Sequence, residues 1–426
     1  MKSENPEQSR GKTAYLAVGL LLLLGAVLVL VFTANTAPTT PDTRRLFGLW
    51  RLPHVVLSTF GFIFGLGVFA LSGRRERFLG FVSILGTLFL CIGLLEGVGR
   101  AGLISWEGLF RPAQVGGEAV GWSPVPNQRV TGETYQDIAT RFELPSDPIP
   151  FDVATDKYGF RNSDDEIANV IVLGDSIVFG GQTQKENTID AVVEATLNQP
   201  VSQVALLGLS IQEQHELLLN SGIDLSGKTV VQLFFEGNDL LDSARFRAPK
   251  TSGEGLKSSS FVKTVWGLAT KATDPTSPWE SADYCTVKEQ RILFLWTRRS
   301  FDGHMSELTH VQQSIKRFAT QLNEVGGTYA LVFVPTKYRV LNDLCTYPEG
   351  SPLSDPSLHL SSIPNLLGEW SKEMGIPYLD LTTPLTNTAT QGDNPWLWGD
   401  THWGDTGHRI SGEAIGRWDA LLDETR

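Results

Sequence analysis

Three short stretches carry residues that could do chemistry together. "VIVLGDSIVFGG", Val170–Gly181, ends an apolar run on Gly174, Asp175 and Ser176. A serine where a buried strand gives way to a helix can lift its hydroxyl over the sheet edge, beside N–H groups that favour negative charge. The same position suits a helix N-cap, a common role for serine. In "FFEGNDL", Asn238 follows a second apolar run, and its amide can donate to an oxyanion or close an Asn-Asp turn. In "WLWGDTHWGDTGH", Asp400 precedes His402 by two residues. An acid so placed can hold one ring nitrogen and leave the other to take a proton from a serine. Asp400, His402, Asp405 and His408 also offer the mixed N and O donors of a metal site. However, "DTGHRISGEAIGRW" reads as an amphipathic helix capped by Asp405 or Thr406, with His408 in its first turn. No metal and no cofactor is expected. Tryptophans 396, 398 and 403 suit either sugar stacking or core packing. Trp398, Trp403 and Lys337 are the candidate substrate contacts.

These residues need a scaffold, and the pattern around them supplies one. Short β-branched or aromatic runs at Asn169–Leu173, Val204–Leu207, Thr229–Phe235, Tyr329–Val334 and Tyr378–Leu381 read as strands. Helical stretches lie between them, including Ile189–Leu197, "QEQHELLLNSG" and "MSELTHVQQSIKRFATQLNEVGG". Continuous apolar strands alternating with helices predict a parallel sheet covered on both faces. Ligands of such sheets sit beyond the carboxyl ends of the strands. Ser176, Gly208, Asn238 and Lys337 all fall there. The alternation fails over about 242–302, which reads as an insertion or lid. Residues 100–165, rich in Pro and Gly, read as a lead-in linker, and residues 166–426 as the domain itself.

The first hundred residues differ in kind. After a tail at 1–13, the region 14–99 holds three long apolar runs: Ala14–Ala34, Leu52–Leu71 and Phe78–Val98, the last with Glu96 near its end. About 20 such residues cross a bilayer core, so three transmembrane helices are expected. A cleaved signal peptide competes for the first run, which is long for that role. The cluster "GRRER" between the second and third runs favours an inside N-terminus. That topology puts the catalytic domain outside the cytoplasm, as a multi-pass protein of the inner or plasma membrane. Cys285 and Cys345 can pair in such a compartment, closing a loop of about 60 residues. Residues 1–112 hold 11 Lys/Arg against 6 Asp/Glu, whereas the remainder holds 24 against 41. So acidic a soluble part argues against a nucleic-acid partner.

Taken together, "GDS" at 174–176, "GND" at 237–239 and the Asp400–His402 pair resemble the blocks of the SGNH (GDSL) hydrolase superfamily. The Asp-x-His-Trp form resembles that of membrane-linked relatives such as the alginate O-acetylation proteins. "DKYGFRN" at 156–162 and "VFVPTKYRV" at 332–340 are similar to segments flanking those blocks. One departure is "LLGLSIQEQ", which supplies Gly208 alone where a Gly-x-x-Gly is common.

The resemblance implies a flavodoxin-like three-layer α/β/α sandwich. It implies Ser176 as nucleophile, His402 as base and Asp400 as its orienter. The oxyanion hole would be the Ser176 and Gly208 N–H groups with the Asn238 amide. The expected function is ester hydrolysis or O-acyl transfer on acetyl groups of a cell-surface or exported polysaccharide, alongside other envelope polysaccharide-modification proteins. The alternatives are a lipid esterase or thioesterase, favoured by the membrane anchor and the apolar "RILFLW" at 291–296, and a non-catalytic glycan-binding scaffold subunit.

Overall fold

The computed structural model describes residues 18–31, 45–46, 50–71, 90–101, 124–142, 144–248, 260–263, 279, 282–295, 302–355 and 360–424. The chain divides into two compact units, one of residues 1–113 and 250–275, the other of residues 114–249 and 276–426.

In the second unit five strands form one sheet: β3 (Val170–Gly174), β4 (Val201–Ala205), β5 (Thr229–Phe235), β8 (Thr328–Val334) and β9 (Tyr378–Asp380). Their order is β9–β8–β5–β3–β4, all parallel. Renumbered within the sheet this is 2-1-3-4-5, the flavodoxin-like doubly wound order. The strand order reverses between β3 and β5, so the crevice for a ligand lies past their carboxyl ends. Register aligns those ends, with Leu173 opposite both Val204 and Gln232.

Residues alternate across the sheet, so each strand feeds two cores. Val170, Val172, Val231, Leu233, Val332 and Val334 pack with helices α3 (Ile189–Leu197) and α10 (Asp405–Gly416). Ile171, Leu173, Val230, Phe234, Leu331 and Phe333 face α4 (Ile211–Asn220), α6 (Leu308–Glu324) and α8 (Ile363–Met374). Three layers result, and each buried aliphatic or aromatic side chain contributes roughly 1.5–3 kcal/mol of transfer free energy.

Two expectations about this unit change. The stretch read as a lead-in belongs, from residue 124, to the same folded unit. It forms an antiparallel hairpin of β1 (Arg129–Thr134) and β2 (Ile149–Ala154), with helix α1 (Asp137–Arg141) between them. It also sends Phe151, Val153 and Phe160 into the core. Inside the expected insertion lie α5 (Asp239–Arg247) and a second hairpin, β6 (Asp283–Val287) with β7 (Gln290–Phe294). Cys285 on β6 is joined to Cys345, their Cα atoms 5.4 Å apart.

Of the three apolar runs, Leu52–Leu71 is helical throughout, residues 18–31 and 90–100 are helical, and the other positions lie outside the described set. Gly61 and Gly65 of the second run lie against Ala26 and against Gly19 and Leu22–Leu23 of the first. The side chains at both ends of Leu52–Leu71 are not described. Among the described residues, no helix is long and apolar enough to cross a membrane, so the expectation of three spans finds no support there.

Candidate active site

Ser176 is the first residue of α2 (Ser176–Phe179), directly past β3 and half-buried. It is not the cap. The Asp175 carboxylate accepts from the Ile177 N–H at 3.0 Å and fills that role, leaving the serine hydroxyl outside the capping interaction. A Cβ on Gly174 would come within 2.4 Å of Val178 Cγ2, so glycine is what lets α2 fold straight back onto its strand. The far end of α2 is held by buried Arg161. One guanidinium nitrogen donates to the carbonyls of Phe179 (2.9 Å) and Gly180 (2.6 Å), the other to that of Thr183 (2.8 Å). A cation at a helix C-terminus is favourably placed, because the orphan carbonyls there are its acceptors.

The histidine arrives from the other end of the domain. Residues 396–403 close on themselves through a bridge between Trp396 and Trp403, and the Gly404 N–H donates to the Pro395 carbonyl at 3.0 Å. Within this loop Asp400 Oδ1 pairs with His402 Nδ1 at 2.7 Å and accepts the His402 backbone N–H at 2.9 Å. The ring is thereby fixed by its Nδ1 side. Asp400 is fully buried, and its remaining oxygen accepts the Asp137 N–H at 3.0 Å.

Asp137 is a participant that sequence reasoning missed. Its carboxylate accepts from the Thr401 N–H at 2.8 Å and the Thr401 hydroxyl at 2.5 Å, which ties α1 to the loop. Burial, then the charge of Asp400, raise its pKa to about 7. Burial works against a charged His402, but the hydrogen bond and charge of Asp400, helped by Asp137 and Asp175, outweigh it and raise the ring to about 9. Against the burial penalty, the same pairing lowers the Asp400 carboxyl. Asp175, the cap of the helix that begins at Ser176, is among the acids that favour the charged ring.

The third edge of the site is Asn238, capping position of α5. Its amide nitrogen donates to Asp175 Oδ2 at 3.2 Å and Asp242 Oδ2 at 2.7 Å, so it bridges two acids rather than facing an open space. Burial raises both carboxyls, Asp242 to about 6, and raises neighbouring Asp239 as well. Gly208 sits in the turn after β4 at φ +66, a conformation that favours glycine.

Three sequence assignments change here. Trp403 is 0% exposed and packs edge-on against His408, centroids 5.6 Å apart, so no face remains for a sugar. Lys337 is buried and its ammonium donates to the carbonyls of Leu293 (3.0 Å), Leu397 (2.8 Å) and Trp398 (3.3 Å); it is a clamp on the loop that carries Asp400 and His402, with no donor turned to a ligand. Burial lowers its pKa to about 7 against the pull of Asp400 and Asp137. The cap of α10 is Gly404, not Asp405 or Thr406, and Asp405 instead pairs with Thr183 and Asn187. His408 does fall in the first turn of α10, buried. Trp398 remains partly exposed.

Asp137, Asp400 and His402 bring ligand atoms within 4.8 Å of one another, a set that could hold a cation. An ion taking Nδ1 and Oδ1 would have to break the Asp400–His402 hydrogen bond.

Residues 293–420 match a family model described as "SGNH hydrolase-like domain, acetyltransferase AlgX", and over that stretch the chain is similar to such a domain. The stretch includes Asp400 and His402 and leaves out Ser176 and Asn238. No curated protein matches the chain. Among solved structures, it is similar to a member of the lipolytic protein G-D-S-L family from Veillonella parvula DSM 2008, at 13% identity and TM-score 0.32, covering 59% of this chain and 97% of that one. It is similar to the acetyl xylan esterase AlAXEase, at 14% identity and TM-score 0.32, covering 59% and 98%. It is also similar to Est24, a carbohydrate acetylesterase from Sinorhizobium meliloti, at 10% identity and TM-score 0.30, covering 59% and 98%. Likenesses of this depth carry no functional argument.

Proposed function

We propose that the chain is a serine-dependent ester hydrolase or O-acyltransferase acting on O-acetyl groups of a cell-surface or exported polysaccharide. One observation carries the reading: a serine without capping duty stands past a strand end of the sheet, and the same folded unit holds a histidine fixed by a buried carboxylate. His402 Nε2 takes the Ser176 proton as Oγ attacks the ester carbonyl. The carbonyl electrons move onto oxygen, where the N–H groups of Ser176 and Gly208 are the candidate donors. Collapse expels the sugar alkoxide, which takes the proton from His402 and leaves an acyl-serine. Water or a second sugar hydroxyl then attacks that ester by the reverse steps. Asp400 stabilises the imidazolium throughout.

The similarity of residues 293–420 to a domain named for an acetyltransferase supports an acetyl group as the group handled. The lipid alternative loses the support of "RILFLW", since Ile292, Leu293 and Phe294 are buried in the core. Membrane attachment is part of the proposal. The three apolar runs support it, as do the outward faces of Leu21 (67% exposed), Phe60 (63%), Phe64 (65%) and Leu90 (65%), apolar surface that a water-facing unit rarely leaves open. The catalytic unit then lies outside the cytoplasm, within reach of other envelope polysaccharide-modification proteins.

Labelling with a fluorophosphonate tests the chemistry. The adduct is expected on Ser176, and peptide mass spectrometry after incubation with an acetyl ester should find a 176-centred acetyl-peptide. A chain that takes no label, or labels equally as Ser176→Ala, would be the non-catalytic scaffold.

A further inference from the structure

A cleft of about 420 Å³ opens next to the catalytic loop, lined by Leu144, Trp279, Glu289, Gln290, Arg291 and Trp398. Its volume lies within the roughly 300–1,000 Å³ typical of small-molecule sites. A smaller cavity of about 270 Å³ lies at the opposite edge of the sheet, by the strand starts Thr229 and Thr328, away from any of the reactive groups. The larger cleft is different because two of its walls are bonded to the loop that carries Asp400 and His402. The Leu293 N–H of β7 donates to the Trp398 carbonyl at 2.8 Å, and the Ala139 N–H of α1 to that of Gly399 at 2.8 Å. Leu144 follows α1 and donates its own N–H to the Ala139 carbonyl at 2.9 Å. Whatever the cleft holds is therefore held at a fixed place relative to the catalytic pair.

Its surface has two characters. The indoles of Trp279 and Trp398 lie 6.0 Å apart, inclined by 28°. Tyr284 meets Trp279 edge-on at 5.1 Å, and the Arg291 guanidinium lies 4.9 Å from the Trp279 centroid. Around this aromatic platform stand the hydrogen-bonding groups of Glu289, Gln290 and Arg291, one acid and one base among them. The turn that presents them is itself unusual. Lys288 and Glu289 take φ of +45 and +70, a pair of left-handed positions normally given to Asn-Gly. A side chain retained where glycine fits better suggests a use for that side chain.

We propose that this cleft is a glycan subsite. A sugar ring has apolar C–H faces and a rim of hydroxyls, which is the complement of indole faces bordered by an acid, an amide and a guanidinium. The polysaccharide would lie along Trp398 and Trp279 while a neighbouring residue offers its O-acyl group to Ser176. That role in turnover rests on the ester chemistry proposed above; the binding itself does not.

The test uses the full chain in detergent carrying Ser176→Ala, so that ligand is not turned over. Binding of a β-1,4-linked glucose hexamer and of a uronate hexamer is measured by tryptophan fluorescence and calorimetry. Saturable binding of at least one is expected, weakened tenfold or more by Trp279→Ala and several-fold by Glu289→Gln, with thermal midpoints confirming that each variant folds. Should Trp279→Ala fail to fold, Glu289→Gln, on the exposed turn, carries the test. Lack of saturable binding, unchanged affinity in the folded variants, or preferential binding of a lauroyl ester would overturn the subsite. Turnover of 4-nitrophenyl acetate by the unsubstituted protein is scored separately. Turnover without glycan binding sinks the subsite alone, whereas glycan binding without turnover sinks the ester chemistry alone.

Discussion

A histidine raised to about 9 holds its proton at neutral pH, and a base that is already protonated cannot take another. The rate should therefore climb as the solution removes that proton: kcat/KM for a small acetyl ester is expected to rise from pH 7 to a plateau near 9. A profile flat from pH 6 to 9 would contradict it. Asp137 supports the charged ring, so Asp137→Asn should move the rising limb toward acid, and a structural role alone would lower kcat without moving it. Linkage gives a second consequence with a definite sign. Because the folded value lies above the unfolded 6.5, the His402 contribution to stability is complete below pH 6.5 and disappears as pH rises through 9. The thermal midpoint of the native protein should thus fall relative to His402→Gln across that interval. If Ser176 and His402 act as one unit, alanine at either should cut kcat by several orders of magnitude, with the double variant hardly worse. Chelators should leave activity unchanged; inhibition would indicate an ion at Asp137, Asp400 and His402 instead.

At the scale of elements, the β6–β7 hairpin is held by two devices of opposite sign. Its Lys288–Glu289 turn is strained by roughly 1–2 kcal/mol per residue. Lys288→Asn with Glu289→Gly should raise the thermal midpoint by a few degrees, and a lowered midpoint would contradict the strain. The Cys285–Cys345 bond spans a sequence separation of 60, and replacing both by serine should cost roughly 4 kcal/mol, read from denaturant midpoints. Neither device is easy to read in sequence, since Lys-Glu carries none of the glycine or asparagine that marks a hairpin. The parallel strands were legible because their runs are apolar throughout; β5 falls at Thr229–Phe235 as the pattern predicts. β4 was legible only in part, read at Val204–Leu207 and found at Val201–Ala205, because Ser202 and Gln203 look like loop residues. They are buried with partners: Ser202 accepts the Ala168 N–H, and Gln203 donates to Asp190. Asn162 of "DKYGFRN" pairs through its amide with the main chain of Gln203, covering part of an edge strand. The Asp400–His402 pairing was legible because the two are two residues apart. Asp137 was hidden because its bond to Asp400 crosses 263 positions, which no local spacing reveals.

For the whole molecule, the disulfide and the apolar N-terminal runs point to the same place. A bond between two otherwise unremarkable cysteines persists where the surroundings oxidise, so both thiols should resist alkylation in unreduced protein taken from cells. The full chain should also stay with membranes through an alkaline carbonate wash; release of intact protein into the supernatant would end the anchoring proposal. The path of the chain has one more effect. Ser176 and its turn belong to the first third of the second unit, while the base proposed for it comes about 226 positions later, at His402. A ribosome adding roughly 5–20 residues per second needs on the order of 10–50 s to cover that distance. On the proposed chemistry, the growing chain during that time carries a serine with no partner to strip its proton, and a product cut short before residue 400 should turn over no acetyl ester. Because Asp137 must still be waiting, folded, to receive the Thr401 hydroxyl, reactivity switches on at the very end of synthesis.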